Sequence, residues 1–345
     1  MLDPHDIELP RRILIGKGVI KNVGDVARSL GLSGKAYVLL GRTGRNLVRE
    51  SVLNSLSAYG FDVVDGNVKE DDELLNEVLK ARPNFVVSVG GGMTIDLGKY
   101  AAFKLGVPFI SVPTAASHDG IASPMVSLKS LKSPYSIKTK PPMAVIADVS
   151  VVMDAPHKLL ASGCGDVLAK LTAVRDWKLA HILKNEYYGE YAASLAEMSA
   201  MLVMKHAKLI GAHKEEGVRV VIEALVSCGV AMCIAGSSRP CSGSEHMFSH
   251  ALDMIAPKPA LHGEQCGIGT IMMAYIHGMK WKKIKKVLKT IGAPTTAKEL
   301  GIDDEYIVRA LVEAHKIRPR YTILGDTGLT WEAAMRIAKD TGVID

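Results

Sequence analysis

The chain has 345 residues, a formal net charge of +6 and 48% hydrophobic residues. This length suits two domains, each with a core of its own, and the composition excludes intrinsic disorder. The positive charge is modest and no basic patch is interleaved with aromatic residues, so no nucleic-acid partner is expected, whereas an anionic substrate or cofactor fits. The five cysteines form no C-x-x-C pair, which argues against a disulfide framework and a zinc ribbon and indicates a reducing compartment.

No membrane span is expected. The first twelve residues lack the charged-then-apolar pattern of a signal peptide, and no run reaches the ~18 uninterrupted apolar residues of a spanning helix. The most apolar segment, residues 220–235, contains Glu223 and Ser227 and is predicted to be a buried helix. We therefore expect a soluble, cytoplasmic protein.

The first 150 residues alternate short aliphatic runs with helical stretches. Five runs predict strands, at residues 36–40, 61–64, 85–89, 108–112 and 144–147. This alternation predicts an α/β domain over residues 1–150 with a mostly parallel, Rossmann-like sheet. Residues 127–142, rich in Ser, Lys and Pro, predict a hairpin or loop insertion.

Long helical patterns occupy the rest of the chain. They predict an all-helical domain over residues 151–345 and a cleft between the two domains. Breaks between the helices are expected near glycine or proline residues, at Gly163, Gly189, Gly217, Pro240, Pro257 and Pro294.

A glycine-rich turn follows the strand predicted at residues 85–89. Gly90, Gly91 and Gly92 let backbone N–H groups approach a diphosphate, and a helix predicted to begin near Thr94 points its positive end at that anion. The next strand also leads into small and polar residues, beginning with Thr114. Ligands in open α/β sheets collect at the carboxyl ends of the strands, so the two segments predict one dinucleotide cleft.

Three motifs in the helical half carry side chains that bind metals. They are Gly-Cys-Gly-Asp ending in Asp166, Gly-Ser-Glu-His ending in His246, and Leu-His-Gly-Glu with His262. One carboxylate and two imidazoles suit a divalent ion such as zinc, and three protein ligands leave a coordination position open for a substrate oxygen. His250 lies four residues after His246, so it is either a further ligand or a neighbour of the metal.

The sequence lacks the motifs of several hydrolytic and phosphate-transferring enzyme classes, which excludes those classes. Glu245 precedes His246, so the run is not the H-E-x-x-H of metalloproteases. Neither a Gly-x-Ser-x-Gly elbow nor a P-loop lysine is present.

Taken together, these motifs resemble the superfamily of metal-dependent dehydrogenases that includes glycerol dehydrogenase and 3-dehydroquinate synthase. Three runs are similar to the archaeal-type glycerol-1-phosphate dehydrogenases: Ser-His-Asp-Gly-Ile-Ala-Ser-Pro at 117–124, Gly-Ser-Glu-His-Met-Phe-Ser-His at 243–250, and Arg-Pro-Arg-Tyr-Thr-Ile-Leu at 318–324. The resemblance covers nearly the whole chain. It implies reversible, zinc-dependent reduction of dihydroxyacetone phosphate to sn-glycerol 1-phosphate with NADH or NADPH, which supplies the backbone of archaeal membrane phospholipids.

The resemblance also implies residue roles. Asp166, His246 and His262 would hold zinc or another divalent ion, and Asp119 and His250 would be catalytic and face the substrate. His118 and His250 are candidate proton relays by residue type. The dinucleotide would contact Gly90, Gly91, Gly92, Met93, Thr94, Ile95, Asp96, Thr114, Ala115, Ala116, Ser117 and Ser123.

The choice of cofactor and the binding of the substrate phosphate stay open. The strand at residues 36–40 is followed by Arg42 without an acidic residue for a ribose 2′-hydroxyl, which suggests that both NADH and NADPH are used. No motif selects among the cations available for the substrate phosphate, which are Lys129, Lys132, Lys138, Lys140, Arg175 and Arg219.

Three alternative functions remain at this point. They are a polyol dehydrogenase acting on an unphosphorylated substrate, a lyase resembling 3-dehydroquinate synthase, and a non-enzymatic helical scaffold on a nucleotide-sensing domain. A helical domain rich in methionine and aliphatic residues further predicts a homo-oligomer.

Overall fold

The computed structural model describes residues 5–41, 46–67, 71–128 and 136–345. The strands in these residues are β1 (Arg12–Gly16), β2 (Lys35–Leu40), β3 (Asp62–Asn67), β4 (Phe85–Gly90), β5 (Phe109–Pro113), β6 (Met125–Val126), β7 (Ile137–Lys138) and β8 (Ala144–Asp148). Six of them form one sheet in the order β1-β8-β5-β4-β2-β3, with every pairing parallel. The predicted parallel sheet is confirmed, and the five predicted strands correspond to β2, β3, β4, β5 and β8.

Two features of this half go beyond the predicted strands. The sequence pattern does not predict β1, a short edge strand that pairs only with β8 within the described part of the sheet. The ends of the predicted hairpin, β6 and β7, pair in antiparallel fashion, while residues 129–135 lie outside the described residues.

Helices cover both faces of the sheet. They are α1 (Val23–Ser29), α2 (Asn46–Ala58), α3 (Asp71–Ala81) and α4 (Gly92–Leu105). The helices α1 and α2 pack on one face, where Val26 and Leu56 join Val38 in one buried cluster. The helices α3 and α4 pack on the other face, where Leu74 and Ile95 join a second cluster. Burial on both faces explains why the central strands are continuously apolar.

The remaining described residues contain helices and no strand. The helices are α5 (Val149–Met153), α6 (His157–Lys184), α7 (Glu190–Lys205), α8 (Ala207–Gly211), α9 (Glu215–Ala235), α10 (Ser244–Ile255), α11 (His262–Ile276), α12 (Trp281–Ile291), α13 (Ala297–Leu300), α14 (Asp304–Glu313) and α15 (Trp331–Asp340). The core of this half continues into β8 through Val145 and Ala147. The division into domains at residue 150 stays a prediction.

The apolar segment predicted to be a buried helix lies within α9. This helix is long and apolar enough to cross a membrane, but 67% of its most apolar window is buried inside the protein. Its burial is that of a core helix.

One predicted helix break is wrong. Gly163 lies inside α6, which runs without interruption for 28 residues. A Cβ atom at Gly163 would lie 2.1 Å from the Ala116 carbonyl oxygen, and one at Gly165 would lie 2.1 Å from the Gly263 carbonyl oxygen. The glycines of α6 are therefore needed for close approach of backbone segments at the centre of the molecule, and they do not end the helix.

Candidate active site

A cleft of about 340 Å³ lies at the carboxyl edge of the sheet. The ends of β4 and β5 lie side by side, with Gly90 paired with Pro113, and the Thr114 N–H donates to the Gly90 carbonyl oxygen at 2.9 Å. The two predicted segments therefore leave the sheet at the same edge. The cleft is lined by Gly41, Gly91, Gly92, Met93, Thr94, Ala115, Ser117, His118, Leu159, Ser162, Leu261 and His262.

The start of α4 opens into this cleft. The helix begins at Gly92, two residues before the predicted position, and the preceding Gly91 provides no side-chain cap. The N–H groups of the first turn have no intrahelical partner, so they are available to an anion together with the positive end of the helix. This is the geometry that a diphosphate requires.

Half of the predicted dinucleotide-contacting residues line the cleft, namely Gly91, Gly92, Met93, Thr94, Ala115 and Ser117. The other six, Gly90, Ile95, Asp96, Thr114, Ala116 and Ser123, do not line it. Ile95 is buried in the core of the α/β half, and Asp96 accepts a hydrogen bond from the Ser127 N–H at 3.0 Å. Ser123 accepts one from the Met125 N–H at 3.3 Å. The side chains of Asp96 and Ser123 thus support the base of the β6–β7 hairpin.

The three predicted metal ligands converge at the inner end of the cleft. Asp166 comes from α6, His246 from α10 and His262 from the first turn of α11. His246 Nε2 lies 3.3 Å from Asp166 Oδ1, and the ring centroids of His246 and His262 are 5.1 Å apart. Close packing of α6 on α11 at Gly165 and Gly263 allows this convergence.

Neighbouring side chains orient both imidazoles. His246 Nδ1 lies 2.8 Å from Glu245 Oε1, and His262 Nδ1 lies 3.2 Å from Ser249 Oγ. In each ring Nδ1 has one of these side chains as its hydrogen-bond partner, which leaves Nε2 for the space between the predicted ligands. A carboxylate behind a ligating histidine is the usual arrangement in metal centres. The donor set therefore fits a divalent ion.

The charges of the cluster also favour a cation. Burial opposes a charge on His246, but contacts with Cys266, Asp166 and Glu245 outweigh it and raise the pKa of His246 well above its usual value. Burial and the neighbouring His246 lower the pKa of His262 well below its usual value, so this ring is neutral, whereas a metal ion bound at His246 would displace the proton of that ring.

Asp119 and His250 lie next to this cluster. The Asp119 N–H donates to Asp166 Oδ2 at 2.8 Å, and the ring centroid of His250 lies 5.6 Å from that of His262. Burial lowers the pKa of His250, and its contact with Asp253 only partly opposes this effect. His250 is therefore neutral at pH 7.

Comparison with known proteins identifies the family. A glycerol-1-phosphate dehydrogenase (NAD(P)+) of Pyrococcus horikoshii is 52% identical over 345 residues, covering 99% of this chain and 100% of its own. One of Thermococcus kodakarensis is 55% identical, covering 99% of each chain. The chain belongs to the glycerol-1-phosphate dehydrogenase family. The resemblance seen in the sequence is thereby confirmed.

Other comparisons agree on the fold of this family. Residues 14–156 match the family model described as iron-containing alcohol dehydrogenase. The crystal structure of a probable glycerol dehydrogenase from Sinorhizobium meliloti has a TM-score of 0.78 at 19% identity, covering 98% of each chain. A sulfoacetaldehyde reductase from Bifidobacterium kashiwanohense has a TM-score of 0.75 at 20% identity, covering 99% of this chain and 100% of its own. These two structures confirm the fold class.

The sequence pattern did not predict Lys170, which lies at the centre of the candidate site. It is fully buried, and its Nζ lies 2.6 Å from Asp166 Oδ1 and 2.7 Å from Asp119 Oδ2. Burial, together with the charge of Asp166, raises the pKa of Asp119, although Lys170 opposes the shift. The only sequence signal was the spacing of four residues between Asp166 and Lys170, which is common on helices.

Cys266 was also missed. It lies one turn after His262 on α11, is fully buried, and its Sγ lies 3.5 Å from His262 Nε2. His246, His262 and Cys266 hold ligand atoms within 4.8 Å of one another. Asp166 Oδ1 lies 3.3 Å from His246 Nε2 and also accepts a hydrogen bond from Lys170, but Asp166 is not a member of this three-residue group.

None of the four described candidate cations for the substrate phosphate lines the cleft. Lys138 donates to the Gly236 carbonyl oxygen at 2.7 Å, and Arg219 pairs with Glu223 on the surface. Lys140 and Arg175 are exposed elsewhere. Arg42, Lys129 and Lys132 lie outside the described residues.

Proposed function

We propose that this chain catalyses the reversible, metal-dependent reduction of dihydroxyacetone phosphate to sn-glycerol 1-phosphate with NADH or NADPH. The product would supply the backbone of archaeal membrane phospholipids. One observation carries the proposal: His262 both lines the cleft at the glycine turn and belongs to the cluster of metal-ligand side chains. A hydride donor in the cleft and a carbonyl at the cluster would then lie next to each other. The names of the full-length relatives support the same reaction.

The proposed metal ligands are Asp166, His246 and His262. Their donor atoms suit zinc, and the same set accepts other divalent ions. A divalent ion at this position supplies Lewis-acid polarisation of the ketone and stabilises the negative charge that develops on its oxygen. The buried carboxylate of Glu245 fixes the ring of His246 for this task.

The proposed substrate-facing residues are Asp119 and His250. Lys170 holds the Asp119 carboxylate through an ammonium contact, and the Asp119 N–H is tied to Asp166, so Asp119 has little freedom to move. The neutral ring of His250 donates through one nitrogen and accepts through the other. Hence these two residues can orient the hydroxyl and carbonyl oxygens of a small polyol and accept or return the proton of the alcohol.

The proposed dinucleotide site is the glycine-lined cleft. We assign the diphosphate to the first turn of α4 at Gly91 and Gly92, and further contacts to Thr94, Ala115 and Ser117. Gly90, Ile95, Asp96, Thr114, Ala116 and Ser123 would act through their backbone or by supporting these contacts.

We further propose a cytoplasmic homo-oligomer. Its support is a set of large apolar side chains exposed near the end of α6 and along α7: Ile182, Leu183, Tyr187, Tyr191, Met198, Met201 and Leu202. Such a face is often buried against a second copy.

The test compares phosphorylated and unphosphorylated ketones. NADH and NADPH absorbance is followed with dihydroxyacetone phosphate and, separately, with dihydroxyacetone, for the wild-type protein and for His262→Ala. We expect turnover only with the phosphate ester, and none in the variant. Turnover restricted to dihydroxyacetone would instead assign the chain to polyol oxidation, and turnover with neither ketone would contradict the proposal.

A further inference from the structure

The His118 side chain has one fixed hydrogen-bond partner. The Gly120 N–H donates to His118 Nδ1 at 3.0 Å. A backbone N–H can only donate, so Nδ1 carries the lone pair and the neutral ring carries its hydrogen on Nε2. The ring is therefore a donor at Nε2.

Two glycines make room for this ring. A Cβ atom at Gly92 would lie 1.8 Å from His118 Nε2, and one at Gly120 would lie 2.5 Å from His118 Nδ1. Neither glycine has a positive φ, so the backbone conformation does not require glycine at either position. The close approach of the imidazole does require it. His118 is thus held between the start of α4 and the turn after β5.

The Nε2 atom lies against Gly92 at the start of α4, on the wall of the candidate cofactor cleft. His118 lines this cleft together with Gly92 and Thr94, and no described residue accepts a hydrogen bond from Nε2. On its other side the ring lies edge-on to His262, with 6.4 Å between the ring centroids. His118 therefore stands between the glycine turn and the metal-ligand cluster.

We propose that His118 is a cofactor-binding residue that donates from Nε2 to an oxygen on the nicotinamide half of the dinucleotide, beyond the diphosphate. The inference rests on the proposed function of the cleft. If the diphosphate lies at the first turn of α4, the nicotinamide must lie toward His262 for hydride to reach a carbonyl at the cluster. The ring of His118 borders that path, and the oxygens available there are those of the ribose and the carboxamide.

The proposal predicts that loss of the His118 side chain weakens the binding of the whole dinucleotide but not of its adenosine diphosphate half alone. Binding of NADH and of ADP to the purified protein is measured by fluorescence titration and calorimetry. ADP carries the diphosphate but nothing beyond it. In His118→Ala we expect the Kd for NADH to rise about 5- to 10-fold, as for one lost hydrogen bond, and the Kd for ADP to stay within about twofold.

Further variants separate this role from a structural one. Gly92→Ala displaces the ring and should weaken NADH binding at least as much as His118→Ala, with no further loss in the double variant. His118→Gln, whose amide N–H reaches a similar position, should recover part of the affinity. His206→Ala, at a half-buried histidine that ends α7 and contacts the Leu202 carbonyl oxygen by a hydrogen bond, is the matched control and should change neither Kd.

Two results would overturn the inference. One is an unchanged NADH Kd in His118→Ala, and the other is an equal weakening of ADP and NADH, which would mean that the ring only shapes the glycine turn. Failure of the wild-type protein to bind either NADH or NADPH would be a different result, because it would remove the cleft itself as a dinucleotide site.

Discussion

The Lys170 ammonium joins Asp119 and Asp166, with Nζ 2.7 Å from one carboxylate and 2.6 Å from the other. The two acids come from different halves of the chain, Asp119 from the turn after β5 and Asp166 from α6. A single buried cation therefore fixes the carboxylate proposed to face the substrate relative to the carboxylate proposed to bind the metal. Lys170 links the two halves of the candidate site.

Replacement of this cation should destabilise the protein. Lys170→Met leaves two buried carboxylates facing each other, so we expect the free energy of unfolding to fall by about 3–5 kcal/mol. Chemical denaturation measures it. Lys316→Met, which breaks an exposed pair with Glu313, is the control and should change it little. Equal stability of the two variants would show that Lys170 does not balance these charges.

The orientation of His246 by Glu245 gives a prediction about metal affinity. Glu245→Gln weakens the contact of 2.8 Å with His246 Nδ1, so metal affinity should fall about 10- to 100-fold while the ligand side chains remain. Competition with a chromophoric chelator measures this change. The control is Glu223→Gln, at an exposed ion pair on α9. Unchanged metal affinity in Glu245→Gln would contradict the assigned role.

For Asp119 we predict a separation of turnover from cofactor binding. Asp119→Asn keeps the shape of the side chain but removes its charge and proton-accepting capacity, so kcat with dihydroxyacetone phosphate should fall about 100-fold or more. The Kd for NADH should change little, because Asp119 does not line the cofactor cleft. A variant with normal kcat would remove Asp119 from the substrate site.

The packing of α6 on α11 makes a second prediction about stability. In Gly165→Ala the new methyl group would lie 2.1 Å from the Gly263 carbonyl oxygen, and we expect a loss of at least about 1–3 kcal/mol because the backbone must move. Gly267→Ala in α11 is the control, since its closest contact is a flexible Leu288 methyl at 3.3 Å. Thermal unfolding distinguishes the two, and equal melting temperatures would contradict the close packing.

Thiol reactivity tests the burial of the cysteines. All five are free and buried, and burial raises the pKa of Cys233 to about 12. A raised pKa lowers the thiolate fraction, so at pH 8 only about one Cys233 side chain in ten thousand is ionised. The native protein should not react with Ellman's reagent within minutes, and five thiols should react after denaturation. Rapid reaction of a native thiol would show that this part of the core opens.

The local pattern of apolar and polar residues predicts much of the fold. The central strands are buried on both faces and stand out as apolar runs between helical stretches, so β2, β4, β5 and β8 are predicted to within two residues. The edge strand β1 lacks such a context and was missed. Gly163 was misjudged as a helix break because the need for glycine arises from a contact with Ala116, distant in the chain.

The sequence predicts the proposed metal ligands, which stay a prediction, but it does not predict the residues packed around them. Asp166, His246 and His262 belong to motifs with a recognisable composition. Lys170 and Cys266 are single residues on helices, and only the packing of α6 against α11 and the turn after β5 gives them partners. Their contacts are tertiary, so periodicity carries no signal for them.

The most direct test of the account follows NADH oxidation with dihydroxyacetone phosphate before chelation, after chelation and after return of a divalent metal, and determines the enantiomer of the product. We predict activity that chelation abolishes, that zinc or another divalent ion restores, and that yields sn-glycerol 1-phosphate. Turnover that persists in metal-depleted protein, or a product of the opposite configuration, would contradict the account.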